Sequence, residues 1–83
     1  MKVLATYKLI QAQKVNPLAQ EPIQGWYQIM SKTDFHSVTD LKSVFGELNN
    51  FKSTFEFPIP GTKILARTLI NFSAKVVLVS ELK

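Results

Sequence analysis

The chain has 83 residues, a net charge of +4 and no cysteine. A chain this short forms one small core, so we expect a single domain over residues 1–83. The lack of thiols excludes a disulfide scaffold and a thiolate metal site, and a single histidine makes an imidazole metal centre a poor candidate. An apolar share of 46% is typical of a globular protein and excludes a disordered one.

No segment approaches the ~20 consecutive apolar residues that a membrane-spanning helix needs. The longest aliphatic run is Val76–Val79, and the apolar stretch Val3–Tyr7 is too short for a secretion signal. We therefore expect a cytoplasmic protein that has no membrane partner.

The first half of the chain is predicted to form two strands and a helix. Imperfect alternation over 2–15 indicates a half-buried strand. Residues 16–25 contain two prolines and a glycine, which predicts a loop, and the aromatic and branched segment Trp26–Met30 predicts a second strand. Ser37 resembles a helix cap and begins the predicted helical segment 37–49. Apolar residues recur there at helical spacing: Val38, Leu41, Val44, Phe45 and Leu48.

The second half is predicted to be entirely strands. Phe51–Ile59 alternates between apolar and polar residues, and Pro60-Gly61 ends it with turn chemistry. Apolar residues then occupy even positions from Ile64 to Leu82 without a change of phase. A two-residue turn would exchange the faces, so this pattern predicts an odd-length turn near 71–73 or one long bent strand.

Together these elements predict a small α+β domain with the order ββαβββ, in which one short helix packs on a mostly antiparallel sheet. A β-grasp-like fold and an OB-like barrel both accommodate this order. The predicted core takes one face of each element: Val3, Ala5, Tyr7, Leu9, Leu41, Phe45, Leu48, Phe55, Phe57, Ile64, Ile70, Val76 and Leu78.

The residues do not predict catalysis. His36 lies close in sequence to Asp34 and Asp40, but a catalytic triad needs groups that converge in space, and sequence neighbours tend to point apart. The three glycines are far apart, so there is no glycine-rich phosphate loop. We expect a binding protein that is not an enzyme and needs no cofactor or metal.

Most of the cations project from the non-core faces of the first and last predicted strands. Single-stranded nucleic acid is bound by basic grooves that carry aromatic platforms, and Trp26 and Tyr27 are neighbours in a predicted strand. This favours single-stranded nucleic acid as the ligand. The predicted nucleic-acid-binding residues are Lys8, Lys14, Trp26, Tyr27, Arg67 and Lys75.

The same faces also carry more apolar residues than a solvated face needs. On the odd positions of the last segment these residues are Leu65, Leu69, Val77 and Val79, which we predict to form an interface. The alternative function is therefore a protein-binding accessory or inhibitor domain, of the kind that phages encode, with an acidic protein surface as partner. Self-association into a homodimer through the sheet is a further reading.

Three segments are similar to the small single-stranded-DNA-binding proteins of filamentous bacteriophages. Gln24-Gly25-Trp26-Tyr27 resembles their DNA-binding hairpin, Pro60-Gly61 resembles a later turn, and Ala74–Lys83 resembles their closing strand. The resemblance implies an OB-like dimer in which Tyr27 stacks on a base. In contrast to that family, residues 15–25 contain no cation and 37–49 has no counterpart.

Overall fold

The computed structural model describes residues 1–83 and has an α+β fold, which confirms the predicted class. Three α-helices and one 3₁₀ turn accompany a five-stranded sheet. In chain order the elements are β1 (Lys2–Leu4), α1 (Tyr7–Val15), the 3₁₀ turn (Pro17–Ala19), α2 (Gln20–Lys32), α3 (Val38–Phe45), β2 (Asn49–Phe51), β3 (Thr54–Pro58), β4 (Leu65–Asn71) and β5 (Val76–Leu82).

The strands are arranged in the order β1-β5-β4-β3-β2. The first strand pairs in parallel with the last one, and the other pairs are antiparallel. The sheet is thus mostly antiparallel, as predicted, but the predicted element order ββαβββ is wrong. The helices come between β1 and β2, and they carry the chain from one edge of the sheet to the other.

The N-terminal third contains most of the differences from the predicted elements. The segment 2–15 is not one strand, because Ala5 adopts a positive φ of 62° and the chain turns into α1. The predicted loop 16–25 and the strand predicted over Trp26–Met30 are instead the 3₁₀ turn and α2. Pro22 lies in the first turn of α2, where its missing N–H removes no intrahelical bond.

The helix predicted at Ser37 is confirmed. The Ser37 hydroxyl accepts a hydrogen bond from the Asp40 backbone N–H at 3.3 Å, which caps α3. The helix ends earlier than predicted because Gly46 has a φ of 72°, which an L-residue adopts only with strain. Asn49, the last residue of the predicted helical segment, begins β2 instead.

The hairpin between β4 and β5 differs from the predicted odd-length turn. Asn71 is paired with Val76, so four residues, 72–75, form the connection and the core-facing parity changes. Val77 and Val79 are therefore fully buried, whereas Leu78 points away from the core and is 39% exposed.

The core lies between one face of the sheet and the helices. The ring of Phe57 on β3 is at its centre, 4.9 Å from the Phe45 ring and 5.7 Å from the Trp26 ring. Of the predicted core residues, Leu9, Leu41, Phe55, Phe57 and Ile70 are buried, and Val3, Ala5, Phe45, Leu48 and Ile64 pack against them. Tyr7, by contrast, is 59% exposed.

Candidate functional site

The face of the sheet that points away from the core is exposed along much of its width, and we call it the open sheet face. Its side chains come from alternate positions of all five strands, because neighbouring residues of a strand point to opposite faces. Direct cross-strand partners align these side chains in two rows that run across the strands.

One row extends over all five strands and is apolar except for Thr54, and we call it the apolar row. Its members are successive cross-strand partners: Phe51 on β2, Thr54 on β3, Leu69 on β4, Leu78 on β5 and Leu4 on β1. Phe51 is 68% exposed, and the three leucines are between 37% and 43% exposed. Single exposed apolar residues are ordinary on a protein surface, but a contiguous set marks an interaction surface.

The other row is ionic and is centred on Arg67. Its guanidinium contacts one carboxylate oxygen of Glu56 through Nε at 2.9 Å and Nη2 at 2.8 Å. Nη1 donates to Glu81 at 2.8 Å, and Lys83 lies 3.3 Å from the same carboxylate. Hydrogen bonding to Glu56 is the main cause that raises the pKa of Arg67, so its charge is permanent.

A β-bulge produces this arrangement. Thr68 pairs with Val79, but Arg67 pairs with Glu81, so Ser80 is an extra residue without a cross-strand partner. The bulge turns Glu81 to the open sheet face beside Arg67. The carbonyl of Ser80 accepts a hydrogen bond from the Lys8 ammonium at 2.6 Å, which fixes the bulge to α1.

Lysines surround the open sheet face. Each of the three turns that connect β2 to β5 contains one lysine and no acidic residue: Lys52, Lys63 and Lys75. Lys2 lies on β1, on the same face as Leu4. Only Lys75 among these four has an ion pair, at 3.5 Å from Asp34. The edge of the face is therefore positive.

The predicted nucleic-acid-binding residues do not form one surface. Trp26 is 4% exposed and is a core residue of α2, while Tyr27 is 38% exposed on that helix. Lys14 lies in the last turn of α1. The remaining three are engaged with partners already described: Lys8 with Ser80, Arg67 with two glutamates, and Lys75 with Asp34.

The predicted interface residues divide between the two faces. Leu69 is exposed on the open sheet face, and Leu65 is half-buried on the same face beside Pro58. Val77 and Val79 belong to the core, which corrects their expected position on the second face. Sequence reasoning missed Phe51 and the two glutamates that flank Arg67, because their positions depend on strand register.

His36, the residue considered above for catalysis, lies directly before the N-cap residue of α3. His36 is exposed, and its backbone N–H donates to the Asp40 carboxylate at 3.0 Å. No three His, Asp or Glu side chains come together in a way that could hold a metal ion. A groove of about 550 Å³ runs between α1 and the end of β5, lined by residues that include Lys8, Val15 and Leu82. None of the helices is long and apolar enough to cross a membrane.

Comparison with known proteins gives one family. The family model HigB_toxin, described as the RelE-like toxic component of a toxin-antitoxin system, matches residues 19–82, which is well over half of the chain. No curated protein matches the chain. The matched range contains α2, α3 and the four strands β2 to β5.

This match corrects the sequence-based expectations of function. The resemblance to phage single-stranded-DNA-binding proteins is wrong, and so is the expectation that single-stranded nucleic acid is the ligand. The segment Gln24–Tyr27 that carried the resemblance is part of a helix and not of a hairpin. The alternative, a protein-binding accessory or inhibitor domain, is closer to the family's description.

Proposed function

Because this chain belongs to the HigB_toxin family, we propose that it is the toxic component of a toxin-antitoxin system and that a protein antitoxin neutralises it. The observation that carries the proposal is the match over residues 19–82, since this range includes four of the five strands and two of the three α-helices.

The geometry of the open sheet face supports a protein partner. Leu69 and Leu78 are direct cross-strand partners with exposed side chains on a face that no helix covers. Covering apolar area of this kind is favourable, at roughly 25 cal/mol per Å² removed from water. A partner that removes this face from water therefore gains binding free energy, as an antitoxin must.

Controlled expression in a bacterial host tests the proposal. Induction of the chain is expected to stop growth, and co-expression of the protein encoded beside it is expected to restore growth. Phe57→Asp is the matched control, because a charge at this core position prevents folding and should abolish toxicity. Unchanged growth, despite accumulation of the folded chain, would overturn the proposal.

The expectation that the chain is not an enzyme stays a prediction. A toxin that only binds its target must reach about the target's concentration, whereas a catalytic toxin acts far below it. Titration of the expression level against growth rate therefore separates the two modes. Growth arrest at a few copies per cell would contradict the prediction.

A further inference from the structure

We propose that the open sheet face is the antitoxin-binding surface, and that the bound antitoxin segment is aliphatic at its centre and acidic at its ends. This inference rests on the proposed function and adds the location and the chemistry of the partner. It follows from the shape of the apolar row, from the distribution of charge around it and from the self-contained ionic row.

The apolar row is long enough for a specific contact. It crosses five strands, and with four inter-strand spacings of ~4.8 Å each it extends over ~19 Å. Other exposed apolar side chains, such as Leu18 at 91% exposure, belong to the helical layer, away from this row. Three leucines of the row are adjacent cross-strand partners, and they provide the continuous apolar centre that distinguishes an interface from scattered surface residues: Leu69, Leu78 and Leu4.

The charges at the ends of the row are positive and unpaired. Lys2 is two residues before Leu4 on the same face of β1, and Lys52 directly follows Phe51 in the β2–β3 turn. Neither lysine has a carboxylate within ion-pair distance. Carboxylates at the two ends of a bound segment would complement them, which favours specific and rapid association.

The charges of the ionic row are paired with one another, so this row offers no net charge to a partner. Glu56 and Glu81 are the acidic residues of the sheet, and Arg67 and Lys83 neutralise both. The remaining charge of the face is the lysine edge. A second copy of the chain would bring one positive edge against another, at +4 for each molecule, so we assign the face to an acidic segment of another protein.

Binding of the purified chain to the purified protein encoded beside it tests the inference, without any measurement of toxicity. Leu69→Asp is expected to weaken binding about 100-fold, because it places a charge at the centre of an apolar contact. Leu18→Asp, the matched control in the helical layer, should change the affinity less than about 3-fold. Leu69→Thr, which suits an exposed strand position, keeps the test valid if the aspartate variant does not fold.

A further double variant and its control test the contribution of the lysines to binding. Lys2→Glu with Lys52→Glu should weaken binding about 10-fold at low salt and reduce its salt dependence. Lys14→Glu with Lys42→Glu changes the net charge equally on the helices and should have little effect.

Four results would overturn the inference. The first is unchanged affinity in folded Leu69→Asp and Leu69→Thr. The second is equal weakening by the helical controls. The third is that Leu69→Asp dissociates a homodimer without affecting partner binding, because the occupant is then a second copy. The fourth is no binding of the neighbouring protein to the wild-type chain. The growth experiment decides separately whether the chain is a toxin.

Discussion

Leu69 on β4 lies directly opposite Leu78 on β5, and both side chains point away from the core with about two fifths of their surface exposed. Thr54 and Leu4 continue this pair on the neighbouring strands, and Phe51 ends the row at the sheet edge. The helices cover only the opposite face. The chain therefore has a core side fixed by its own helices and an apolar side that is available to a partner.

The ion pairs of Arg67 are expected to differ in strength. Glu56 has a side-chain exposure of 12% and accepts two contacts, whereas Glu81 is 43% exposed and accepts one. Because solvent screens an exposed pair more strongly, double-mutant cycles should give a larger coupling for Arg67 with Glu56 than with Glu81. Urea unfolding of the Arg67→Met, Glu56→Gln and Glu81→Gln series measures both couplings. Equal couplings would contradict the asymmetry that the geometry predicts.

Two glycine substitutions are expected to change the stability of the fold in opposite directions. Gly46 has a φ of 72°, so Gly46→Ala should destabilise the fold by about 1–2 kcal/mol. Gly25 lies inside α2 with open space around its Cα, so Gly25→Ala should stabilise it by about 0.5–1 kcal/mol. Thermal unfolding of the two variants compares them directly. Destabilisation of similar size in both would show that Gly25 has a role other than helix formation.

Substitution of two phenylalanines by alanine distinguishes a side chain that stabilises the fold from one that lies on the surface. Phe57 is 1% exposed at the centre of the aromatic core, so Phe57→Ala should cost about 3–5 kcal/mol. Phe51 is 68% exposed, so Phe51→Ala should change the free energy of unfolding by less than about 0.5 kcal/mol. Chemical denaturation measures both. A large loss of stability from Phe51→Ala would mean that its ring stabilises the fold, which would contradict its assignment to a partner-binding surface.

Some elements of the fold could be predicted from the sequence because their signals are local. The cap at Ser37 and the alternation around Phe55 and Phe57 are local signals, and α3 and β3 follow from them. The helix α2 has an equally local signal, because its N-cap residue and its buried residues recur four, three and four positions apart: Ala19, Ile23, Trp26 and Met30. The prolines and the glycine in this segment indicated a loop, although Pro22 lies where a helix tolerates it.

The open sheet face was harder to predict, because the positions that point to the core change twice between even and odd along the last segment, and the two changes nearly cancel. The four-residue turn shifts the buried set to Val77 and Val79, and the bulge at Ser80 then shifts it back before Leu82. Apolar residues thus appear at even positions at both ends of the segment. Only the strand register shows that Leu78 lies beside Leu69 and that Glu81 reaches Arg67.

The contact of Asp34 predicts a dependence of stability on pH. The hydrogen bond from the Met1 α-amino group, followed by the charge of Lys75, lowers the pKa of Asp34 below its usual value of 3.8. A carboxyl whose pKa is lower in the folded state stabilises the fold above its unfolded pKa and loses this contribution as the pH falls through the folded value. The stability difference between wild type and Asp34→Asn should therefore shrink under acid. Asp40→Asn serves as the comparison variant. If the difference in the free energy of unfolding between wild type and Asp34→Asn does not change with pH, the lowered pKa of Asp34 is contradicted.

The account's central claim, that the antitoxin covers the open sheet face, is tested most directly by alkylation of single cysteines. The chain has no cysteine of its own, so Leu69→Cys and the control Leu18→Cys each provide one reactive thiol. The rate of modification by iodoacetamide is measured by mass spectrometry with and without a saturating amount of the protein encoded beside the chain. We predict that the partner slows modification at position 69 at least about tenfold, in line with the loss of solvent access in an interface core, and leaves position 18 unchanged. Equal modification at position 69 with and without bound partner would contradict the claim.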